Sequence, residues 1–323
     1  MNPSATVVDL GRAPRERWDL SSEHIEQART LMRAYTDELG GTEVFGDLLS
    51  TYAESWLRPD HFDEVRAIAD LTGESIEQAL LGNLYYDAVK LVLGCTAFAV
   101  DTPSGPLHAR NLDWWTENDT LSAYTLVTDF HDPHRKRSFS TIGWPGFVGA
   151  LSGIAPGRFA ITLNAVLSAE APAFAPSVSF LIRTVLEEAD TYGDAVARLA
   201  AEPIATDCLL LVTGAARGEM AVVERTPSKS AIRHAESGFV AVANGYRLID
   251  ADTGEANGAL QTTSCGRYER AMTCLRERRP QTTAECFAIL SDEAVAMSIT
   301  VQQMVLQAST GRRDVRLPPR TTI

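Results

Sequence analysis

The feature that most restricts how this chain can fold is a change of period at Cys95. Ahead of it, apolar residues recur three and four positions apart. Ser21 or Ser22 can cap a helix whose apolar face is Ile25, Ala28, Met32, Tyr35 and Leu39, and Gly40-Gly41 ends it. Phe45, Leu48, Leu49, Tyr52 and Trp56 mark a second helix that stops before Pro59, and Phe62, Val65 and Ile68 a third that runs to Gly73. Ser75 opens a fourth, over about residues 76–93. Residues 1–20 carry charge and proline without periodicity, so they are expected to be a flexible lead-in. Residues 21–94 therefore read as a helical segment without a catalytic constellation, and 95–323 as the domain that carries the chemistry.

Beyond the break, Leu93-Gly94-Cys95-Thr96-Ala97-Phe98-Ala99-Val100 and Leu107-His108-Ala109-Arg110-Asn111-Leu112-Asp113-Trp114 flank a turn-rich run, Asp101-Thr102-Pro103-Ser104-Gly105-Pro106. This is a hairpin with its first strand starting at Cys95. A turn centred near Pro103 and Ser104 places Cys95 opposite Leu112 and Ala97 opposite Arg110. Strict alternation then sends Arg110 and Asp113 to opposite faces, which a bulge or the strand end has to reconcile. Further strands are predicted over residues 124–130, 159–163, 207–213, 219–225, 239–243 and 300–308, and helices over 178–189, 193–201, 264–278 and 283–290. Residues 131–137 read as a basic loop. The glycines between Gly143 and Gly157 lack the spacing of a phosphate loop, so tight turns and close packing are expected there. Without regular strand–helix alternation the chain is not a parallel α/β protein; the fold class is α+β, two antiparallel sheets with helices outside them.

The net charge of −13 is spread along the chain, which favours solubility and argues against nucleic acid as a partner. Five cysteines, Cys95, Cys208, Cys265, Cys274 and Cys286, include no C-x-x-C pair, so neither a disulfide framework nor a structural metal is expected, and no cofactor motif is present. Residues 1–18 lack the apolar core of a secretory signal and no run is long enough to span a membrane, so a cytoplasmic location is expected. Asn118-Asp119-Thr120 has the form of a glycosylation sequon and reads as a surface turn.

Cys95 needs a base if it is to act as a nucleophile. His108 is the only histidine in the hairpin, and a Cys–His dyad through it is one option. The other is that Cys95 becomes a chain start. A thiol with pKa near 8.5 and an α-amine near 7.7 to 8 differ so little that moving the proton between them costs only about 1 kcal/mol.

Cys95-Thr96 followed by His108-Ala109-Arg110-Asn111-Leu112-Asp113 resembles the signature of the cysteine N-terminal nucleophile (Ntn) hydrolases of the choloylglycine hydrolase superfamily, above all the acid ceramidase and N-acylethanolamine-hydrolysing acid amidase branch. Gly146-Phe147-Val148-Gly149, Thr162-Leu163-Asn164, Ser179-Phe180-Leu181-Ile182-Arg183, Ala243-Asn244 and Ile299-Thr300-Val301 are similar to that branch in the same order. The resemblance implies a four-layer αββα sandwich and self-cleavage between Gly94 and Cys95, leaving a helical short chain and a long chain that begins with the nucleophile. It implies that Arg110 and Asp113 surround Cys95, that Asn244 donates to the oxyanion, and that an arginine completes the site. Arg267 is taken for that role, with Arg270 the alternative. Each role is chemically sensible: a guanidinium stabilises a thiolate, a carboxylate tunes an amine, and a primary amide offers a neutral N–H where an oxyanion forms.

The activity so implied is hydrolysis of a linear N-acyl amide through an acyl-enzyme on Cys95. The alternatives are an acyltransferase that passes the acyl group to an amine, and a non-enzymatic relative that binds an acyl ligand. Trp114, Trp144 and Asn164 are the candidate substrate-binding residues, and Trp115 and Phe147 are further candidates for an acyl pocket. Asn164 is followed by Ala165-Val166, where the lipid amidases carry an acidic–basic pair, a departure that points away from a ceramide-like substrate. The expected partners are a small-molecule amide and the two chains of one precursor; a homo-oligomer is left open.

Overall fold

The amphipathic stretches ahead of Cys95 fold as helices in a computed structural model, which describes residues 3–43, 45, 47–89, 93–114, 120–251 and 259–318. They are α1 (Ser22–Glu38), α2 (Leu48–Trp56), α3 (Pro59–Thr72) and α4 (Ile76–Val89). The Ser21 hydroxyl caps α1 by accepting the His24 N–H at 3.2 Å, and α3 ends at Gly73 in the left-handed conformation, φ +71°.

The strands are β1 (Ser4–Asp9), β2 (Leu93–Val100), β3 (Leu107–Trp114), β4 (Leu126–Asp132), β5 (Arg137–Gly143), β6 (Ser152–Ala155), β7 (Phe159–Asn164), β8 (Cys208–Gly214), β9 (Met220–Arg225), β10 (Ser230–His234), β11 (Phe239–Val242), β12 (Thr300–Gln307) and β13 (Arg312–Arg316). The later helices are α5 (Thr120–Ala123), α6 (Val178–Glu188), α7 (Tyr192–Ala201), α8 (Ala259–Arg278) and α9 (Thr283–Leu290). One sheet has eight strands in the order β1-β4-β5-β6-β7-β8-β9-β10, the other five in the order β11-β2-β3-β12-β13. Every pairing is antiparallel except β1 with β4.

Three apolar clusters make this a four-layer sandwich. Ala97 and Ala99 of β2 meet Leu209, Leu211 and Val222 of the larger sheet between the two sheets. Phe98 and Ala109 point the other way and pack under Leu275 of α8 and Phe287 of α9. The outer face of the larger sheet is covered by α6 and by the first four helices, in a cluster that joins Met32, Ile68 and Leu80 to Phe130, Ile161 and Leu186. A buried ionic knot ties the same layers. Glu64 of α3 accepts from Arg17 at 2.8 Å, from the Trp18 indole at 3.0 Å and from Arg183 of α6 at 3.3 Å, and Glu64 and Arg183 are fully enclosed.

The expected hairpin register is the observed one: Cys95 pairs with Leu112 and Ala97 with Arg110. Its start is not. β2 begins at Leu93, so the Gly94–Cys95 peptide lies inside a strand, opposite Asp113 and Leu112. The lead-in also departs from expectation. Residues 4–9 are the edge strand β1, and Trp18 and Leu20 are buried. Only Val8 of that strand is enclosed, so no apolar alternation was needed to form it. The basic loop is the turn of a β4–β5 hairpin, with Lys136 at φ +51°. The glycine run packs closely, as expected: a Cβ at Gly149 would stand 2.8 Å from the Ser179 hydroxyl, and one at Gly153 2.4 Å from a Leu186 methyl. Trp115, the sequon residues 118 and 119, and most of the loop at 250–258 lie outside the described residues.

Candidate active site

The inner strands β2 and β3 present alternate residues to the two sides of the smaller sheet, and this divides the site into two half-shells. Cys95, Ala97, Arg110 and Leu112 face the larger sheet. Arg110 is fully buried, and its Nη2 donates to the Cys95 Sγ at 3.3 Å. The guanidinium is held by the Leu151 carbonyl at 3.4 Å, the Ser152 hydroxyl and the Leu163 carbonyl. Strands β6 and β7 thus aim the charge at the thiol.

Asp113 faces the helices, so the alternation that sequence reasoning found awkward is real. No reconciliation is needed, because the second half-shell sits on that side. The Thr300 hydroxyl donates to Asp113 Oδ1 at 2.6 Å, beside a register shift between Thr300 and Gln302 of β12. Burial pushes the Asp113 carboxyl above its ordinary value, while Arg267, Thr300 and Arg110 pull it down. Arg267 enters from α8. Its Nη1 donates to the Cys95 carbonyl and to the Thr96 hydroxyl, 2.7 Å each, and its Nη2 to Asn244 Oδ1 at 2.7 Å. Burial lowers the Arg267 pKa, opposed by the charges of Asp113 and Cys95. Arg270 points elsewhere, into an ion pair with Asp292. Of the two candidate arginines, Arg267 is the one at Cys95.

Asn244 follows the end of β11 and joins the half-shells. Its backbone N–H donates to the Ser264 hydroxyl at 2.8 Å, its Oδ1 accepts the Cys95 N–H at 3.2 Å, and its Nδ2 donates to the Ala165 carbonyl at 2.7 Å. The primary amide has a second N–H on that same nitrogen. Asn164 lies close behind: its Nδ2 donates to the Val242 and Ala243 carbonyls at 3.3 and 3.0 Å, fastening β7 to the approach to Asn244.

His108 does not act on Cys95. It sits between the sheets with Nδ1 3.1 Å from the Thr213 hydroxyl and Nε2 2.7 Å from that of Thr162. Its cross-strand neighbour is Ala99, four residues from Cys95, which at ~3.3 Å per residue is about 13 Å away. Burial, helped by Arg110, lowers its pKa to about 3, so the ring is neutral. Among the described residues no cluster of three His, Cys, Asp or Glu side chains is placed to hold a metal ion.

An apolar cleft opens between the helical segment and the rim of the larger sheet. Met32 and Tyr35 of α1, Tyr85 and Tyr86 of α4, and Trp114, Trp144 and Phe147 are among its walls. Trp144 stands edge-on to Trp114 with ring centres 5.4 Å apart, its indole N–H donating to the Leu121 carbonyl at 2.7 Å. Two of the three candidate substrate-binding residues therefore line the cleft. Asn164 instead braces the strand ends. Sequence reasoning missed Tyr86, Ser152 and Thr96. The only local sign of Tyr86 was the adjacent pair Tyr85-Tyr86 on α4.

A buried cysteine on an inner strand of a two-sheet sandwich, with an arginine at its sulfur and an asparagine at its nitrogen, has the architecture of a cysteine Ntn hydrolase. The chain belongs to the family described as acyl-coenzyme A:6-aminopenicillanic acid acyl-transferase, whose model matches residues 100–304, a span that starts just past Cys95 and takes in Arg110, Asp113, Asn244 and Arg267. Mouse (Mus musculus) acid ceramidase is 26% identical over 69% of this chain and 64% of its own length. The N-acylethanolamine-hydrolyzing acid amidase of Cavia porcellus is 28% identical over 69% of this chain and 65% of its own. The chain thus spans just under two thirds of the length of these two relatives. The Caenorhabditis elegans N-acylethanolamine-hydrolyzing acid amidase ortholog shares the fold, with a TM-score of 0.57 at 21% identity over 70% of this chain and 100% of that one.

Proposed function

We propose that the protein is a self-processing amide hydrolase whose nucleophile is Cys95. One juxtaposition supports this reading above all: the Cys95 sulfur lies against Arg110 and its nitrogen against Asn244, so both atoms that an N-terminal cysteine uses are already held. In processing, the thiol attacks the Gly94 carbonyl, the C–N bond breaks as the thiol proton passes to the Cys95 nitrogen, and water hydrolyses the thioester. This leaves a short chain, residues 1–94, and a long chain, 95–323. In turnover the new α-amine takes the thiol proton, the sulfur attacks a linear amide, and the amine leaves with that proton. Water releases the acid. The second Nδ2 hydrogen of Asn244 is available for the oxyanion. The substrate is an N-acyl amide whose acyl chain occupies the cleft of Trp114, Trp144 and Phe147. The proposed location is the cytoplasm, a reducing compartment that suits the free cysteines.

The family description favours a second reading in which an amine, not water, resolves the acyl-enzyme. Intact-mass measurement of the purified protein tests the first step: two fragments divided at Gly94–Cys95 are expected, and one chain in Cys95→Ala. An uncut parent that still cleaves an amide would sink the N-terminal mechanism. Adding amines during turnover separates the two readings, since new amide formed at the expense of free acid marks transfer.

A further inference from the structure

Two hydrogen-bond donors lack an acceptor among the described residues: the Tyr86 hydroxyl, in the wall of the cleft, and the Nε of Arg110, the arginine at the Cys95 sulfur. Both belong to enclosed side chains, Tyr86 being 2% exposed and Arg110 0%. Buried polar groups are partnered in the great majority of cases, because an orphan loses its water without replacement. Two such donors therefore call for an acceptor that the described residues do not supply. The surroundings narrow its chemistry. Tyr86 is part of the wall of the apolar cleft, as is Leu151, whose carbonyl holds Arg110. Burial above all, then the charges of Cys208, Asp87 and Cys95, raise the Tyr86 pKa well above its ordinary value against the pull of Arg110, so the hydroxyl stays a neutral donor. An apolar cleft with a buried hydroxyl in its wall that has no acceptor among the described residues suits a molecule with a hydrocarbon body and one carbonyl or carboxylate oxygen.

We propose that Tyr86 contacts the substrate, its hydroxyl donating to the carbonyl oxygen of the acyl group and, after hydrolysis, to the carboxylate of the acid. This rests on the acyl-amide reading above and adds that the helical segment ahead of Cys95 supplies part of the site. It also explains an otherwise costly arrangement, a phenol buried with no partner among the described residues.

Tyr86→Phe removes the hydroxyl and keeps the ring. Thermal unfolding, dodecanoate binding by calorimetry and hydrolysis of a dodecanoyl anilide are compared in the processed parent and variant. The variant is expected to be at least as stable as the parent, to bind dodecanoate about 10-fold more weakly and to lose about 10-fold in kcat/KM, the worth of one hydrogen bond to a charged or polarised oxygen. A variant that unfolds earlier but binds dodecanoate as the parent does overturns the proposal, because the hydroxyl then serves the fold. Unchanged binding and turnover overturn it too, as does a parent that binds no dodecanoate. If the parent binds dodecanoate through Tyr86 but cleaves no amide, the hydrolase reading fails while this one holds.

Discussion

The side-chain oxygen of Asn244 accepts the backbone N–H of Cys95 at 3.2 Å, across 149 residues of sequence. The amide is oriented from both ends, since Arg267 donates to the same oxygen at 2.7 Å and the Ala165 carbonyl takes the nitrogen at 2.7 Å. Asn244 therefore does two jobs, fixing the Cys95 nitrogen and offering an N–H. Asn244→Ala is expected to lower kcat by about 10² to 10³-fold, the range for loss of one oxyanion donor. It should also slow processing. Rates of fragment appearance and of amide turnover check both, and a variant with unchanged turnover would remove Asn244 from the site.

Arg267 donates to the Cys95 carbonyl, to Thr96 and to Asn244, which makes it a positioning residue. Arg267→Lys keeps the charge and loses the fork that serves two oxygens at once. The expected result is a folded protein whose processing and turnover fall together, by about 10-fold or more. Full activity in the lysine variant would show that charge alone suffices.

Glu64 is enclosed between Arg17 and Arg183. Glu64→Gln leaves Arg183 buried without its full counter-charge, and breaking such a pair from one side costs about 3–5 kcal/mol. Urea denaturation should register a loss of that order. In processed protein the short chain should also separate from the long chain at lower urea than in the parent.

His108 gives the fold an acid limit. In the unfolded chain its ring takes a proton near pH 6.5; in the folded protein it does so only near pH 3. Between those values the unfolded state binds more protons, so stability present at neutral pH is lost as pH falls. His108→Gln, which can still bond a hydroxyl at each end, should flatten that dependence between about pH 6 and 4 in urea titrations. A slope unchanged by the substitution would assign the acid sensitivity to other groups.

Gly146 stands at φ +81°, and a Cβ there would come within 3.1 to 3.2 Å of Ala28, Ile68 and Met32. Gly146→Ala should therefore destabilise by about 1–3 kcal/mol through strain and overpacking, read by thermal unfolding. Because Gly146 also borders the cleft, acyl-ligand affinity should fall with it.

The site was more legible in the sequence than the sheet around it. Cys95, Arg110 and Asp113 share one hairpin, and turn chemistry sets a hairpin's register, so their pairing followed from local rules. Arg267 and Asn244 come from distant elements, and only the ordered likeness to a family pointed to them. Strands β5, β6, β10 and β13 went unread for different reasons. β5 starts at Arg137 directly after a basic turn, β6 sits in a glycine-rich run, and β10 and β13 are edge strands whose polar residues give little apolar signal. Tyr86 was unreadable because its distinguishing property is a buried hydroxyl without a partner among the described residues, which only a three-dimensional arrangement reveals.

Strand β1 gives the proposed cut a mechanical meaning. It belongs to the segment ahead of Cys95, yet it runs beside β4 as the eighth strand of the larger sheet. Scission at Gly94–Cys95 would then yield two polypeptides that share one continuous hydrogen-bonded sheet, a strand complementation made within a single molecule before the link is lost. Withdrawal of the short chain would bare the β4 edge, a row of open N–H and C=O groups that recruits other strands. Making both pieces as one precursor would guarantee the larger sheet its own edge strand, and the cleaved pair should survive or aggregate as a unit.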